Sequence, residues 1–468
     1  MNTNEGLSAI LQAVMRNNAK AVKDKYYPCW HLAPVTGLLN DPNGFCFDGE
    51  CYHLFYQWNP LSCEHKHKCW GHWRSKDLIT WQHQPIALLP DEFYDKDGCY
   101  SGSAVIHQGQ LTLCYTGNVK FEDGSRTAWQ CLAVENQQGG FDKLGPVLGL
   151  PDGYSGHVRD PKIWQYNDVW YMVLGAQNLD KQGKVLLYRA SHLYQWQLVG
   201  ELAGSYLGGL ADAGYMWECP DLFELDDRFI LLTCPQGIKR EQQRFLNSHS
   251  SAYLIGDFDY STLQFQHGDL IELDAGFEFY APQTTLANGR RLLFGWMGVP
   301  DGEEMYQPTI ANGWLHQMTC PRELHIKEGK LYQQPVKELQ QLRQKSSYWQ
   351  GIADDAPDIS GFLFELEVEL FGSLTIHFSD TLVLLIENNQ AVLKRCSVKN
   401  GEWQSRFWSG EIKDLQILCD SSSVEIFFNG GAGVMSSRFF PSEKRTICFL
   451  GKDTINLTTW QLKNTLLN

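Results

Sequence analysis

Residues 40–56 read NDPNGFCFDGECYHLFY. A polar cluster containing Pro42 opens an apolar run, Asp48-Gly49 follows as a turn, and a second apolar run continues to Tyr56. An Asp-Gly pair between two apolar runs is a strong signal for a β-hairpin, because both residues tolerate the positive φ angles of a tight turn. The segment therefore predicts two antiparallel strands, the first of which starts at a polar cluster.

The same pattern occurs five times in the first 300 residues. The later copies open with Tyr100-Ser101-Gly102, Arg159-Asp160-Pro161, Glu218-Cys219-Pro220 and Tyr280-Ala281-Pro282. Their turns are Gln108-Gly109, Asn167-Asp168, Asp226-Asp227 and Asn288-Gly289. If the third residue of each opening is taken as an anchor, the copies are spaced 59 to 62 residues apart. A repeat of about 60 residues with several strands predicts a β-propeller with five blades.

The two ends of the chain differ from the repeats. Helical periodicity occurs only near residues 5–24. After about residue 335, strand-like runs lack the opening cluster, which favours a separate β-sandwich, and the polar stretch 336–343 reads as a short helix or a linker. We therefore predict an all-β chain with an N-terminal helical extension at 1–26, a five-bladed β-propeller at 27–335, and a linker with a C-terminal β-sandwich at 336–468.

The composition limits the partners and the location of the protein. A net charge of −15 and a pI near 5.4 argue against a nucleic-acid partner, since phosphate-binding surfaces carry a basic excess. The sequence contains no apolar run of about 18 residues and no signal-peptide pattern at its start, so we expect no membrane partner and a cytoplasmic protein. Its 14 cysteines are expected to be reduced thiols. The sequence does not indicate the oligomeric state.

One short loop contains residues of the types that bind zinc. They are Cys63, His65, His67, Cys69 and His72. Their spacing matches none of the common zinc-binding patterns, and we interpret the segment as a loop at the mouth of the channel. We expect neither a metal ion nor another cofactor.

The repeat also selects the candidate site residues. If equivalent strand starts line one channel, the five polar clusters converge there and bring Asp41, Asp160 and Glu218 together. Alternatively, these Asp, Asn and Pro residues only build turns and start strands. Three carboxylates among aromatic residues suit glycosidic bond cleavage, which needs one ionised carboxylate and one protonated carboxyl group. Glu218 has apolar neighbours and is predicted to be the acid, Asp41 the ionised partner, and Asp160 to be kept ionised by Arg159.

These motifs resemble the family-32 glycoside hydrolases, and within them the invertases and sucrose-6-phosphate hydrolases. The resemblance extends from about Tyr27 to Leu462 and includes the stretches at 31–34, 40–44, 55–60, 70–72, 100–104, 159–162, 218–222, 280–284 and 294–297. It implies a five-bladed propeller followed by a sandwich. It further implies that Asp41 is the nucleophile, Glu218 the acid/base and Asp160 a stabiliser that binds the fructosyl hydroxyls.

The resemblance also implies a fructose subsite. The predicted substrate-binding residues are Leu38, Leu39, Asn40, Gln57, His65, Tyr100, Ser101, Arg159, Tyr280 and Trp296. Because the family retains the anomeric configuration, the Asp41 and Glu218 carboxyl groups are predicted to lie about 5–5.5 Å apart. Residues 64–68 read EHKHK where many relatives have Trp-Gly-Asn, so we expect the outer wall of the channel to differ.

The predicted function is hydrolysis of sucrose, sucrose 6-phosphate or short fructo-oligosaccharides by a retaining β-fructofuranosidase. Two alternatives remain, a fructosyltransferase using the same site and a sugar-binding propeller without activity. Lys66, Lys68 and Arg74 are candidates for contacting a phosphate on the glucosyl unit, although a merely solvated basic loop explains them equally well.

Overall fold

The structure is a computed structural model that describes residues 3–361, 363–441 and 446–465. It confirms an all-β chain preceded by one α-helix, Thr3–Ala21. The remaining helical segments are short 3-10 turns at Glu304–Tyr306, Pro308–Asn312, Lys337–Leu342, Ala353–Asp355 and Asn429–Gly431. The predicted ranges 1–26 and 336–468 include residues 1–2, 362, 442–445 and 466–468, which lie outside the described residues. Within the described residues, no helix combines the length and the apolar composition needed to cross a bilayer.

Five consecutive sheets account for the repeats. The first contains Gly37–Phe47, Tyr52–Asn59, Cys69–Ser75 and Trp81–His83, and Trp314–Leu315 pairs in parallel with its first strand. The second contains Cys99–His107, Gln110–Lys120, Arg126–Glu135 and Phe141–Leu148. The third contains Tyr154–Tyr166, Val169–Asn178, Gly183–Ala190 and Gln197–Gly204. The fourth contains Met216–Leu225, Arg228–Gln236, Ala252–Asp259, Gln264–His267 and Ile271–Glu272. The fifth contains Tyr280–Ala287, Arg290–Trp296, Arg322–Lys327 and Lys330–Pro335.

The predicted turns connect the first two strands of each sheet. In the second to fifth sheets both turn residues have positive φ, as the twist of a two-residue hairpin requires. The first hairpin differs from the prediction of a two-residue turn. Asp48 and Gly49 belong to a four-residue connection between Phe47 and Tyr52. There the Asp48 carboxylate accepts the backbone N–H groups of Glu50 and Cys51 at 2.7 and 2.6 Å, which stabilises the longer loop.

Each of the five first strands, called inner strands here, contains a β-bulge at its polar cluster. The pairing with the second strand is interrupted between Leu39 and Pro42, between Tyr100 and Gly102, between Arg159 and Lys162, between Glu218 and Asp221, and between Tyr280 and Gln283. A bulge tolerates proline because the residues within it do not donate to the ladder. It also redirects the side chains beside it. The recurring proline, present in four of the five copies, therefore marks the place where these inner strands turn their side chains away from the regular pleat.

The inner strands also contact one another in sequence. Each touches the inner strand of the next sheet, and the fifth touches the first. Corresponding positions of sequence-distant repeats are thereby placed side by side, as the repeat pattern predicted.

The remaining strands form two six-stranded sheets. The sixth sheet has the order Arg343–Ile352, Thr454–Leu462, Phe364–Leu370, Asp414–Asp420, Ser423–Phe428, Gly433–Arg438. The seventh has the order Ile359–Ser360, Thr446–Leu450, Leu374–Ser379, Leu382–Glu387, Gln390–Cys396, Trp403–Ser409. Both contribute to one hydrophobic core, in which Leu366, Ile376 and Ile417 are fully buried. The strand Leu374–Ser379 alternates buried and half-buried residues, which is typical of a sheet with one face toward a core.

A fully buried ionic network joins the sixth sheet to the first five. His31 contacts the Asp420 carboxylate through Nδ1 at 2.8 Å and the Glu425 carboxylate through Nε2 at 2.9 Å. Arg322 of the fifth sheet contacts Glu425 at 2.7 Å and Asp274 at 3.2 Å. Buried charges are costly unless they are paired, so this network favours one relative placement of the sheets.

Candidate active site

The inner strands present two rings of side chains at their bulges. The outer ring lies one residue nearer the strand starts and consists of Asn40, Tyr100, Arg159, Glu218 and Tyr280. The inner ring consists of Asp41, Ser101, Asp160, Cys219 and Ala281. The one-residue offset of Glu218 from the two aspartates therefore assigns it to a different ring.

Two other residues of the outer ring, together with Gln236 of the second strand of the fourth sheet, contact both oxygens of Glu218. Arg159 contacts Oε1 through Nε at 2.8 Å and through Nη2 at 2.7 Å. Tyr280 Oη and Gln236 Nε2 each donate to Oε2 at 2.7 Å. Four short contacts to one carboxylate fix its orientation and favour its ionised form.

The inner ring brings the two aspartates together around Cys219. Ser101 Oγ donates to Asp41 Oδ2 at 2.5 Å, and Asn40 Nδ2 donates to Asp41 Oδ1 at 3.0 Å. The Cys219 backbone N–H donates to Asp160 Oδ2 at 3.0 Å. The Cys219 thiol lies 3.7 Å from Asp160 Oδ2 and 3.9 Å from Asp41 Oδ2. The three predicted catalytic carboxylates therefore meet in one place.

Three residues of the inner ring adopt an uncommon backbone conformation. Asp160 has φ 67°, Cys219 has φ 49° and Ala281 has φ 50°, all in the left-handed region. Such a conformation in a residue other than glycine costs free energy and is found at functional sites that the surrounding structure holds in place. At Cys219 it accompanies the N–H contact to Asp160, so the bulge itself supplies a hydrogen-bond donor to the site.

The electrostatics distribute the protons differently from the sequence-based prediction. Burial favours the neutral form of Glu218, but the Arg159 charge and the Tyr280 hydrogen bond outweigh it, so the pKa of Glu218 is lowered. Burial, with a smaller contribution from Glu218, raises the pKa of Asp41 despite the hydrogen bond from Ser101. Burial and the charge of Glu218 raise the pKa of Asp160 to about 7. In the free protein, Asp41 and Asp160 therefore bind a proton more readily than Glu218 does.

This result corrects two predictions. Arg159 was expected to keep Asp160 ionised, but its guanidinium pairs with Glu218 because both residues belong to the outer ring. Glu218 was expected to be the neutral carboxyl group because of its apolar neighbours along the chain. Its spatial neighbours are hydrogen-bond donors instead, and they stabilise its charge.

The other predicted binding residues are distributed unevenly. Gln57 is buried and its Oε1 accepts from Asn40 Nδ2 at 3.3 Å, so it belongs to the site. Tyr100 is half-buried beside Ser101. Leu38 and Leu39 are fully buried, and Leu39 packs in a hydrophobic core, so its side chain does not join the polar groups.

Trp296 and His65 form a second part of the site wall. Trp296 is buried, and its indole N–H has no acceptor among the described residues. The His65 ring meets Trp296 edge to face at 6.0 Å, and His65 Nε2 lies 3.0 Å from a Glu304 oxygen. His316 Nε2 lies 2.8 Å from Glu304 as well. Sequence reasoning missed Glu304 and His316, which follow no repeat motif.

Lys68 is another residue whose role the sequence did not predict correctly. It is buried and donates to Asn40 Oδ1 and, at 2.9 Å, to His65 Nδ1. Burial lowers the pKa of Lys68 to about 8. Lys68 therefore belongs to the scaffold beside Asp41, and the description of residues 64–68 as a solvated basic loop is wrong at this position.

The three residues predicted to contact a phosphate, Lys66, Lys68 and Arg74, lie in different surroundings. Arg74 lies near the far end of its strand, 3.6 Å from Asp48 of the first hairpin loop and away from the strand starts that carry the site. Lys66 is exposed and paired with Glu64 at 2.9 Å. Lys66, Lys68 and Arg74 therefore do not form one cationic site.

His65, Glu304 and His316 also include ligand types that metals use. One potential ligand atom from each lies within 4.8 Å of the others. His65 alone comes from the zinc-like sequence cluster. The Lys68 ammonium contacts the other nitrogen of His65, and its charge opposes a cation there. The arrangement works as a hydrogen-bonded chain from Glu304 to Asn40.

The segment that carries Glu304 is fixed by the seventh sheet. The neighbouring Glu303 accepts from Ser397 Oγ at 2.7 Å, from the Val398 N–H at 3.1 Å and from Gln404 Nε2 at 2.8 Å. The last two strands of the seventh sheet and their connection therefore hold Glu303 in place. Glu304, the next residue along the chain, contacts His65.

Comparison with known proteins identifies the class of enzyme. Residues 31–335 match the glycosyl hydrolases family 32 N-terminal domain, and residues 377–461 match the glycosyl hydrolases family 32 C-terminal domain. The chain belongs to glycosyl hydrolase family 32 and is a glycoside hydrolase, as the sequence motifs predicted.

Individual relatives are similar over nearly their full length. A sucrose-6-phosphate hydrolase of Salmonella typhimurium is 55% identical, with 98% of each chain covered. One from Bacillus subtilis is 39% identical over 96% of this chain and 97% of the relative. Among solved structures, the sucrose-6-phosphate hydrolase of Lactobacillus gasseri has a TM-score of 0.89 at 31% identity, with 97% of each chain covered. A family 32 β-fructofuranosidase of Bombyx mori has a TM-score of 0.89 at 31% identity, with 99% of each chain covered.

Proposed function

We propose that this protein is a retaining β-fructofuranosidase that hydrolyses the glycosidic bond of sucrose, sucrose 6-phosphate or both. The observation that carries the proposal is the meeting of Asp41, Asp160 and Glu218 around Cys219. The named activity of the relatives supports the same substrate class.

The proposed reaction uses one carboxylate from each ring. Asp41 attacks the anomeric carbon of the fructosyl unit, while Glu218 donates a proton to the departing glycosidic oxygen. A covalent fructosyl-enzyme results, and the glucosyl unit leaves as an alcohol. Glu218 then accepts a proton from water, whose oxygen replaces Asp41 at the anomeric carbon. Direct attack requires a separation of about 5–5.5 Å between the two carboxyl groups.

The other residues of the site have supporting roles in this proposal. Ser101 and Asn40 hold Asp41 in one orientation through their hydrogen bonds. Asp160 accepts hydroxyl groups of the fructosyl unit and stabilises the positive charge that develops on its ring. The buried Trp296 packs edge to face against His65 and supports the wall of the site.

The protonation order has a consequence for the rate. The reaction needs the proton on Glu218 and an ionised Asp41, whereas the free protein prefers the reverse. The reactive form is then a minor protonation state that exists between the two macroscopic pKa values of the coupled carboxyl groups. Such an enzyme still shows a bell-shaped pH profile, because the total number of protons on the site decides its activity.

We also propose the domain arrangement that this chemistry uses. The first five sheets are the blades of a β-propeller at 27–335, since their inner strands contact one another in a closed cycle. The sixth and seventh sheets form a β-sandwich within 336–468, and residues 1–26 are an N-terminal helical extension.

The decisive experiment replaces Asp41 with Asn. This change keeps the size of the side chain and removes the nucleophile, so kcat for sucrose is expected to fall about 10³-fold or more. Asp227→Asn, at an exposed hairpin turn, is the matched control. Mass analysis of wild type quenched in acid with substrate should find a fructosyl adduct on the peptide containing Asp41. Full activity of the Asp41→Asn protein would contradict the proposal. The ratio of free fructose to free glucose at high sucrose concentration measures how often water, instead of a second sugar, accepts the fructosyl unit.

A further inference from the structure

Two arginine side chains share one imidazole nitrogen at the outer ring. Arg126 begins the third strand of the second sheet, and its Nη1 donates to His157 Nδ1 at 3.2 Å. Arg159 Nη1 donates to the same nitrogen at 3.1 Å. Arg159 in turn contacts Glu218. A continuous chain of contacts therefore leads from the proposed acid/base to the Arg126 guanidinium.

The charges along this chain are not balanced. Burial and the charges of Arg159 and Arg126 lower the pKa of His157 to about 4, so its ring is neutral at pH 7. Glu218 is paired with Arg159. Among the described residues, no carboxylate forms an ion pair with Arg126. Arg159 is thus paired with a carboxylate, whereas Arg126 contacts only the neutral His157 ring and leaves an excess positive charge on its side.

Arg126 is also held in place. A Cβ atom at Gly156 would lie 2.4 Å from the Arg126 carbonyl oxygen and 2.5 Å from its Cγ. Only glycine permits this approach, and the stem of Arg126 therefore packs directly against the backbone of the neighbouring inner strand. Together with the His157 contact, this packing limits the positions that the guanidinium can adopt.

The reaction geometry places the leaving group on this side. Glu218 must reach the glycosidic oxygen, so the departing glucosyl unit starts beside Glu218 and Arg159. The C6 atom of a glucosyl ring is bonded to C5, which is separated from the anomeric carbon only by the ring oxygen. A phosphate at that position therefore lies close to the glycosidic oxygen, and Arg126 is the next cation along the contact chain that leads from Glu218 through Arg159 and His157.

We infer that Arg126 binds the phosphate of a substrate phosphorylated on its leaving glucosyl unit. The inference rests on the proposed β-fructofuranosidase function. A planar guanidinium without a carboxylate partner matches a phosphate dianion in charge and in hydrogen-bond geometry. The other candidate cations are unsuitable, because Lys66 is paired, Lys68 is buried against Asn40, and Arg74 lies at the far end of its sheet.

The test compares kcat/KM for sucrose 6-phosphate with kcat/KM for sucrose in wild type and in Arg126→Met. The ratio is expected to fall about 10- to 100-fold, the range that a charge-assisted hydrogen bond contributes. Arg74→Met is the matched control, which loses the same charge and should keep the wild-type ratio. Inhibition by glucose 6-phosphate, measured with sucrose as substrate, should weaken in Arg126→Met and remain unchanged in Arg74→Met.

The possible results separate this inference from the proposed function. A wild type that cleaves both sugars, together with an Arg126→Met protein that keeps the wild-type ratio, would overturn the Arg126 assignment alone. An equal loss on both substrates would also overturn it, since that would indicate a structural role through His157. If wild type cleaves neither sugar, the proposed function fails.

Discussion

Replacing Tyr280 with Phe tests the protonation order of the site. Tyr280 Oη donates to Glu218 Oε2 at 2.7 Å, and both groups are surrounded by protein. The substitution removes one hydroxyl group and leaves the Arg159 and Gln236 contacts to Glu218 in place. A hydrogen bond to a charged group contributes about 1.5–3 kcal/mol, and 1.36 kcal/mol corresponds to one pH unit. The ionisation that Glu218 dominates should therefore move upward by about one pH unit or more.

The direction of the change in the pH profile is diagnostic. The pKa of Glu218 is lowered and the pKa of Asp160 is raised to about 7, so Glu218 dominates the acid limb of kcat/KM. Raising the pKa of Glu218 should then shift the acid limb toward neutral pH and narrow the bell. If Glu218 instead held the proton in the free protein, the same substitution would shift the alkaline limb and widen the bell.

The assay measures kcat/KM for sucrose from about pH 4 to pH 9 in buffers of constant ionic strength. Tyr154→Phe is the matched control, because its hydroxyl bonds Glu201 at 3.1 Å on the outermost strand of the third sheet. The control should keep both limbs of the wild-type profile. A Tyr280→Phe profile that moves only on its alkaline side would refute the protonation order proposed for Asp160 and Glu218.

Two further predictions concern the contacts between the sheets. His31→Gln removes the buried cation that contacts Asp420 and one of the two buried cations that contact Glu425. It should reduce the free energy of unfolding by about 3–5 kcal/mol, measured by denaturant unfolding. Burial lowers the pKa of His31, but the hydrogen bonds that its ring donates to Asp420 and Glu425 outweigh burial and raise that pKa above its usual value. The contribution of His31 to stability is therefore complete below about pH 6.5 and is lost as the pH rises through the raised value. The pKa of Glu425 is lowered to about 2, so its contribution to stability falls as the pH drops from about 4 toward 2. The loss of unfolding free energy in His31→Gln should therefore be greatest between about pH 4 and the raised pKa of His31. Glu303→Ala releases the loop that carries Glu304 and should raise KM for sucrose roughly tenfold, or about 1.4 kcal/mol, with little change in kcat; an equal loss in kcat would contradict this positioning role.

The repeats could be predicted from the sequence because their signals are local. Positive φ at residues such as Asn167, Asp168 and Gly289 is a property of single turns, and these residues show it in the structure. The proline in four of the five openings likewise fits the bulges. The first hairpin departs from the prediction because the Asp48 side chain stabilises a longer loop through its own hydrogen bonds.

The pairing within the site could not be predicted, because it depends on neighbours from different sheets. Along the chain Arg159 adjoins Asp160, yet across the sheets it faces Glu218. Similarly, Lys68 lies in a polar loop, yet its ammonium group reaches Asn40 of the first inner strand. Sequence adjacency identifies which residues belong to the site, whereas the position of each residue at the bulge decides which ring its side chain joins.

The two rings explain how different copies of one repeat pattern place carboxylates in different surroundings. Asp41 and Asp160 share the inner ring, where burial opposes their charge and where the thiol and the N–H of Cys219 lie between them. Glu218 stands one residue earlier in its repeat and joins the outer ring, where Arg159 is its neighbour. Moving a carboxylate by one residue along a strand thus changes its electrostatic partners. In the proposed mechanism the nucleophile belongs to one ring and the acid to the other, which suits direct displacement of a leaving group, since attack and proton donation act on opposite ends of the same bond.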